Sequence, residues 1–249
     1  MNSTRRGAIL SPARATLFLV VAMLAGCRMA PPADRVATPA PAAPVTAPLP
    51  APTRDGVRYI VDAAASDVRI LVYRGGPLAK VGHNHVLRVR DLRGEVILAE
   101  PIHRSRFALS FPVAALEVDP PDARADEGPE FAAPPSPQAI AATRGNLLGP
   151  AVLDAGRYPE ITLRSVSLTG PPWGPHVTVR VALHGIERDI AVPVALQRDG
   201  HVLSITAFLT LRTADFGITP FTVLGGGLRV ENAMDIRARI IARRESPAR

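Results

Sequence analysis

Two histidines spaced two residues apart, in Val81-Gly82-His83-Asn84-His85, are the side chains best suited to site chemistry. On an extended strand, residues i and i+2 share a face. His83 and His85 therefore fall in phase with Val81, Leu87 and Val89, while Asn84, Arg88 and Arg90 fall opposite. A regular strand would aim both imidazoles at the apolar side. Neighbouring imidazoles suit Zn²⁺, Cu²⁺ or haem iron, with a third ligand from His184 or Asp215 after folding. They equally suit hydrogen bonding to an oxygen of a bound molecule or to backbone groups at a strand end. The polar-anchor role is the reading adopted, and a metal or haem held by His83, His85 and His184 is the alternative.

Signatures of catalysis are missing. There is no HExxH, no GxSxG, no phosphate-binding loop and no pair of carboxylates with a defined neighbour. Asp215 stands with Arg212 and Phe216, which reads as an Arg–carboxylate pair closing a strand end. No enzymatic activity and no catalytic residue are expected. His103, His176 and His201 lie beside turns and are expected in solvent.

The elements that would position these residues are strands. Beyond residue 57 the apolar period is two: Phe107, Leu109, Phe111 and Val113 form one set, and Val177, Val179, Val181 and Leu183 another. Leu203, Ile205, Ala207, Leu209 and Leu211 repeat the pattern, as do Leu228, Val230, Met234, Ile236 and Ile240. Further strands are expected at 58–74, 81–99, 160–168 and 187–197, making about eight. A helix is predicted only over 138–149, and 119–137, rich in Pro, Asp and Glu, reads as a long loop. Eight antiparallel strands with one apolar face close into a barrel or pack as a sandwich. Closure removes exposed edges, and an eight-stranded barrel can hold one small ligand, so the expected fold is all-β, an eight-stranded antiparallel barrel with one short helix. Leu109, Phe111, Val179, Val181, Leu209 and Met234 are the inward residues expected to meet a ligand; the same residues could instead fill a dry core.

Composition narrows the partners. Apolar residues make up 47% of the chain, which excludes wholesale disorder, and a single cysteine excludes a disulfide framework. The formal charge of +7 includes Arg5, Arg6 and Arg14, which precede an apolar run, and the rest is modest. One Trp, three Tyr and seven Phe do not interleave with the arginines, so a nucleic-acid partner is not expected. A homodimer stays open.

The first residues read as an address. A basic start and an apolar stretch from Ala15 to Ala25 have the proportions of a secretory signal and are too short to span a bilayer. Leu24-Ala25-Gly26-Cys27 resembles the lipobox of bacterial lipoproteins. That resemblance implies cleavage before Cys27 and acylation of Cys27, with Arg28 in the next position pointing to the outer membrane. Met29 to Thr53 is mostly Pro and Ala, a spacer of ~3 Å per residue. The expected organisation is a signal peptide (1–26), a Pro/Ala-rich tether (27–56), a barrel domain (57–242) and a disordered tail (243–249).

Within the barrel domain, several segments resemble the YceI-like family. They are Tyr59-Ile60-Val61-Asp62, Leu153-Asp154-Ala155 with Arg157-Tyr158-Pro159-Glu160-Ile161, Leu183-His184-Gly185-Ile186-Glu187-Arg188, and Arg212-Thr213-Ala214-Asp215-Phe216-Gly217-Ile218, in that order. The resemblance implies a lipocalin-like barrel whose apolar interior binds an isoprenoid-like lipid, such as a polyprenyl chain or a quinone tail. The His83/His85 pair departs from the commoner family pattern. The expected function is a periplasmic carrier or sensor, anchored to the outer membrane through acylated Cys27, with no cofactor besides its lipid. A metal- or haem-binding protein using His83/His85 is the alternative, and a barrel without ligand is a third.

Overall fold

The computed structural model describes residues 56–245. The signal peptide, Cys27, the tether up to residue 55 and the last four residues of the tail lie outside the described residues.

The alternating segments become twelve strands: β1 (Gly56–Val61), β2 (Asp67–Gly75), β3 (His85–Val89), β4 (Arg93–Ala99), β5 (Arg106–Pro112), β6 (Leu116–Val118), β7 (Glu160–Thr169), β8 (His176–Leu183), β9 (Ile186–Asp199), β10 (Val202–Arg212), β11 (Thr222–Val223) and β12 (Leu228–Arg244). β1, β4, β5, β7, β8, β9, β10 and β12 pair in that order and β12 returns to β1, so eight antiparallel strands close a barrel. The closing ladder runs from Tyr59↔Arg244 to Val61↔Ala242, and β12 therefore continues beyond the expected domain end at 242. Over its first part, β12 instead pairs with β2, which carries β3 and β6 beside it.

Two of the expected spans, 58–74 and 81–99, are each broken into two strands. Between β1 and β2, Asp62 accepts from the Ala65 amide at 3.1 Å, and the Ser66 hydroxyl accepts from the Ile241 amide at 3.0 Å. The expected strand 81–99 is two strands, interrupted where Asp91 adopts a left-handed φ of 53°. It also begins later than expected, at His85. The Arg74 amide, next in line for a ladder bond, donates to the Asn84 side chain at 3.0 Å, and the last ladder pair is Val72↔His85. β5 and β6 are separated by a turn at Val113–Ala115.

The predicted helix is α2 (Pro137–Leu148); Ser136 caps it by accepting from the Ala139 amide. Arg144 pins it by donating to the carbonyls of Ala114 and Leu116. The expected loop 119–137 is more ordered than its composition suggested. It contains a short helix, α1 (Pro121–Ala125), and a 3-10 turn at Pro129–Phe131. Its apolar residues supply the reason: Ala123 and Phe131 are buried against Leu71 and Val86 on the outer face of β2 and β3. The Phe131 ring meets Tyr73 edge-on at 5.8 Å. The main core lies inside the barrel, built from the inward sets of β5, β7, β8, β9, β10 and β12.

Candidate ligand cavity

Antiparallel register stacks the inward residues into rungs, because directly opposed side chains share a face. Leu109 opposes Leu163, which opposes Val181. Leu209 opposes Ile236 and Leu211 opposes Met234. These rungs do not fill the interior. A cavity of about 210 Å³ remains, with an apolar surface contributed by every strand of the barrel except β1 and by β2 and β3 as well. Part of the cause is side-chain size: Ala207 opposes Ala238 on the cavity wall, and among the described residues the aromatic rings lining it are Phe107 and Phe111 alone. Apolar cavities of ~150 Å³ stay dry and accept hydrocarbon guests. The lining on β8 alone runs from Val177 to Leu183, ~20 Å along the strand.

All six inward residues expected to meet a ligand, Leu109, Phe111, Val179, Val181, Leu209 and Met234, line this cavity. Val89 of β3, placed by its alternation with Arg88 on the apolar side, lines it as well, whereas sequence reasoning missed Val68 and Ile70, which line it from β2. Their alternation with Arg69 was a usable signal, obscured because Leu71 is also buried, against the outer face.

His83 and His85 do not line the cavity, which corrects the polar-anchor expectation. His83 precedes β3 and is exposed, and Val81, assigned to the same inward set, is 66% exposed. The phase argument needed a regular strand from 81, and the strand starts at 85. His85 keeps the phase of Leu87 and Val89 but sits at the barrel end, where its Nδ1–H donates to the Asp119 carboxylate at 2.6 Å. Asp119 also accepts from the Val86 amide at 3.0 Å and from Arg124 Nη1 at 2.5 Å. Arg124 Nη1 also donates to the Asn84 carbonyl, and its Nη2 to those of Phe131 and Ala133. Burial pushes the Asp119 carboxyl up, but bonds from His85, the Val86 amide and Arg124 outweigh it and hold it below the ordinary carboxylate range. His85 is satisfied by protein, and the network fastens the 119–133 segment to β3.

The metal alternative finds no cluster. His83 and His85 have ring centroids 6.5 Å apart, whereas His184 lies in the β8–β9 turn, its ring 4.8 Å edge-on from Tyr158 and its Nδ1 3.4 Å from the Phe216 carbonyl. Among the described residues no group of three or more His, Cys, Asp or Glu is disposed to hold a metal ion. The expected Arg212–Asp215 ion pair is not formed among the described residues either. That strand end is closed by Asn232, whose side-chain oxygen accepts from the Thr213 hydroxyl and the Ala214 amide, both at 2.9 Å. His103, His176 and His201 are exposed, as their place beside turns predicted.

Two of the segments quoted for the resemblance meet in space. His184 and Gly185 form a two-residue hairpin with φ of 52° and 74°, the left-handed pair that such turns require. A Cβ on Gly185 would stand 2.5 Å from the Tyr158 ring, so the Arg157-Tyr158-Pro159 segment packs against a turn that must be bare there.

A closed eight-stranded antiparallel barrel with an unfilled apolar interior places the chain among lipocalin-like barrels. The chain belongs to the YceI-like domain family, whose model matches residues 59–242. No curated protein matches it. Among solved structures it is similar to Burkholderia cenocepacia BcnA, at 14% identity and a TM-score of 0.54, covering 73% of this chain and 98% of that one. It is also similar to a polyisoprenoid binding domain from Saccharophagus degradans implicated in plant cell wall breakdown, at 12% identity and a TM-score of 0.52, covering 76% of this chain and 99% of that one. At these identities the likeness is one of fold.

Proposed function

We propose that the protein is a carrier or sensor that holds the hydrocarbon chain of an isoprenoid-like lipid, a polyprenyl chain or a quinone tail, inside the barrel. The apolar cavity running through the barrel carries this reading. A polar molecule taken into such a lining would lose its hydrogen bonds to water with nothing to replace them, at ~2–7 kcal/mol per group. Hydrocarbon gains ~0.8 kcal/mol per buried CH₂. The fold shared with a polyisoprenoid binding domain supports the same class of ligand.

The Leu24-Ala25-Gly26-Cys27 segment supports anchoring through an acylated Cys27, with Arg28 favouring the outer membrane and the Pro/Ala-rich stretch serving as a tether in the periplasm. The protein would then collect or present its lipid close to a membrane surface. Native mass spectrometry of the full chain, gently extracted from its source membrane, tests both parts. The expected spectrum shows a non-covalent lipid of isoprenoid mass and a covalent acyl mass on Cys27. A chain that carries neither contradicts the reading.

A further inference from the structure

At one end of the barrel, β12 and β2 run on together as an arm. The β10–β12 ladder stops at Arg212↔Ala233, whereas β12 goes on pairing with β2 as far as Arg229↔Gly75. Two loops meet at the tip of this arm: residues 76–84, which join β2 to β3, and residues 219–227, which lead into β12. Within the second loop β11 folds back on β12 through Thr222↔Arg229 and Val223↔Leu228, with a 3-10 turn at Leu224–Gly226 between them. The Leu78 amide donates to the Gly227 carbonyl at 2.8 Å. A Cβ on Gly227 would stand 2.8 Å from Leu78 Cδ1, and one on Gly82 would stand 2.7 Å from Leu228 Cδ1, so the two loops pack into one surface.

That surface turns four aliphatic side chains to solvent: Leu78, Val81, Val223 and Leu224, the second and last at 66% exposure. The other large exposed hydrophobics among the described residues, Ile60, Val166, Trp173 and Phe208, stand singly on β1, on β7, in the β7–β8 turn and on β10. Exposed apolar residues gathered in one patch mark a contact surface, whereas scattered ones need no explanation. Leu224 has a left-handed φ of 53°, a conformation that is strained for a bulky residue, so the geometry of the turn does not itself call for leucine. Charge adds an independent observation. Residues 76–83 and 219–228 contain one charged side chain, Lys80, and no acid. Lys80 is exposed beside Val81.

Aliphatic side chains with a lysine among them and no acid suit the surface of an anionic bilayer, where the apolar groups enter beside the acyl chains and the ammonium stays at the phosphates. A second copy of the chain is a poorer occupant, because a stable interface takes ~800 Å² from each partner, more than four partly exposed side chains offer. A membrane is also within reach. From this tip to its other end beside β1, β12 spans 17 residues, ~55 Å at ~3.3 Å each. The stretch from Cys27 to Asp55 would cover ~85 Å at ~3 Å per residue, so a chain held at Cys27 has the length to turn its far end to the bilayer. We propose that the tip formed by residues 76–84 and 219–227 docks on the membrane surface, with Leu78, Val81, Val223 and Leu224 in the lipid and Lys80 at the phosphates. The inference rests on the anchoring reading above for what brings a membrane close, and it does not depend on what the cavity holds.

The single tryptophan of the chain makes its emission a local reporter. Trp173 accepts from the Leu196 amide, and Leu196 is level with Ile205 and Ile240, toward the opposite end of β12 from the tip. The full chain is reconstituted into vesicles of phosphatidylcholine and phosphatidylglycerol whose acyl chains carry bromine, a short-range quencher, and is then floated to separate bound from free protein. With Trp173→Phe and Leu224→Trp combined, emission is expected to shift to the blue and to lose most of the intensity seen in bromine-free vesicles. The unaltered chain is expected to float and to keep its intensity. Adding Lys80→Glu and Val81→Asp to the reporter variant is expected to restore its emission while flotation persists through Cys27. A floating chain whose Leu224→Trp reporter is unquenched, quenching that survives the two acidic substitutions, or quenching of Trp173 overturns the proposal and leaves the anchoring reading standing. Flotation that is lost with the acidic substitutions supports the tip and overturns the anchor. A chain that neither floats nor is quenched overturns both.

Discussion

Replacing Asp119 by Ala removes the carboxylate to which His85, the Val86 amide and Arg124 all donate. The side chain is fully buried and that of Arg124 nearly so, at 5% exposure. Breaking a buried pair by deleting one partner costs ~3–5 kcal/mol, because the other charge is left without compensation. For a domain of this size, 1 kcal/mol corresponds to ~2–4 °C, so a fall in melting temperature of roughly 6–20 °C is expected if segment and barrel melt together. The network lies outside the barrel, so hydrogen exchange should locate the loss in residues 119–133 and β3 and leave β7 to β10 protected. Lipid affinity should be unchanged, because neither His85 nor Asp119 lines the cavity. An unchanged melting temperature together with unchanged exchange in residues 119–133 would refute the energetic argument. Loss of lipid with the barrel intact would restore His85 as a ligand anchor.

Three further outcomes are expected. Val181→Trp should abolish lipid retention while lowering the melting temperature only slightly, because the added ring enters open space; in a filled core the same change costs ~1–3 kcal/mol. Acid should loosen the 119–133 segment: a carboxyl held below its ordinary value contributes stability that is complete above the unfolded value of ~3.9 and is lost as pH falls through the lower folded one. A melting temperature that does not decline below about pH 4, or a decline as steep in Asp119→Ala, would contradict this. Gly94→Ala should destabilise by more than ~1 kcal/mol, since Gly94 has φ of 140° and a Cβ there would lie 2.1 Å from the Ala108 carbonyl oxygen; a neutral denaturation curve would count against the β4–β5 register.

The barrel was legible because burial on one face imposes period two on each strand, and that is why Leu109, Val181 and Leu209 could be placed on the cavity wall from their neighbours alone. Which strands would break was less legible. Bends at Asp62 and Asp91 arise from single residues whose side chain or φ leaves the ladder, against a continuous apolar alternation. The His83/His85 reading used the right phase and the wrong strand start, because Asn84 takes the Arg74 amide and the ladder ends at His85, two residues after His83. Its partner was also out of reach: Asp119 and Arg124 lie more than thirty residues further on in a stretch whose Pro, Asp and Glu content reads as loop. Helix α1, with its buried Ala123, and the following turn with its buried Phe131 were hidden for the same reason, since their order comes from contacts with Leu71 and Val86. The β9–β10 ladder stops at Ala207↔Val194, and Pro193 next to it, a proline inside an otherwise regular strand, left a visible signal of that end.

The claim that matters most is that the hydrocarbon chain lies inside the barrel, and photo-crosslinking tests it directly. The lipid-free full chain, loaded with geranylgeraniol carrying a diazirine near the end of its chain, should after illumination carry the label on peptides containing Val179 and Val181, Leu209, or Ile236. Label confined to exposed apolar side chains such as Trp173, Phe208 and Leu224, with the cavity residues unmarked, would place the lipid outside the barrel and contradict the account.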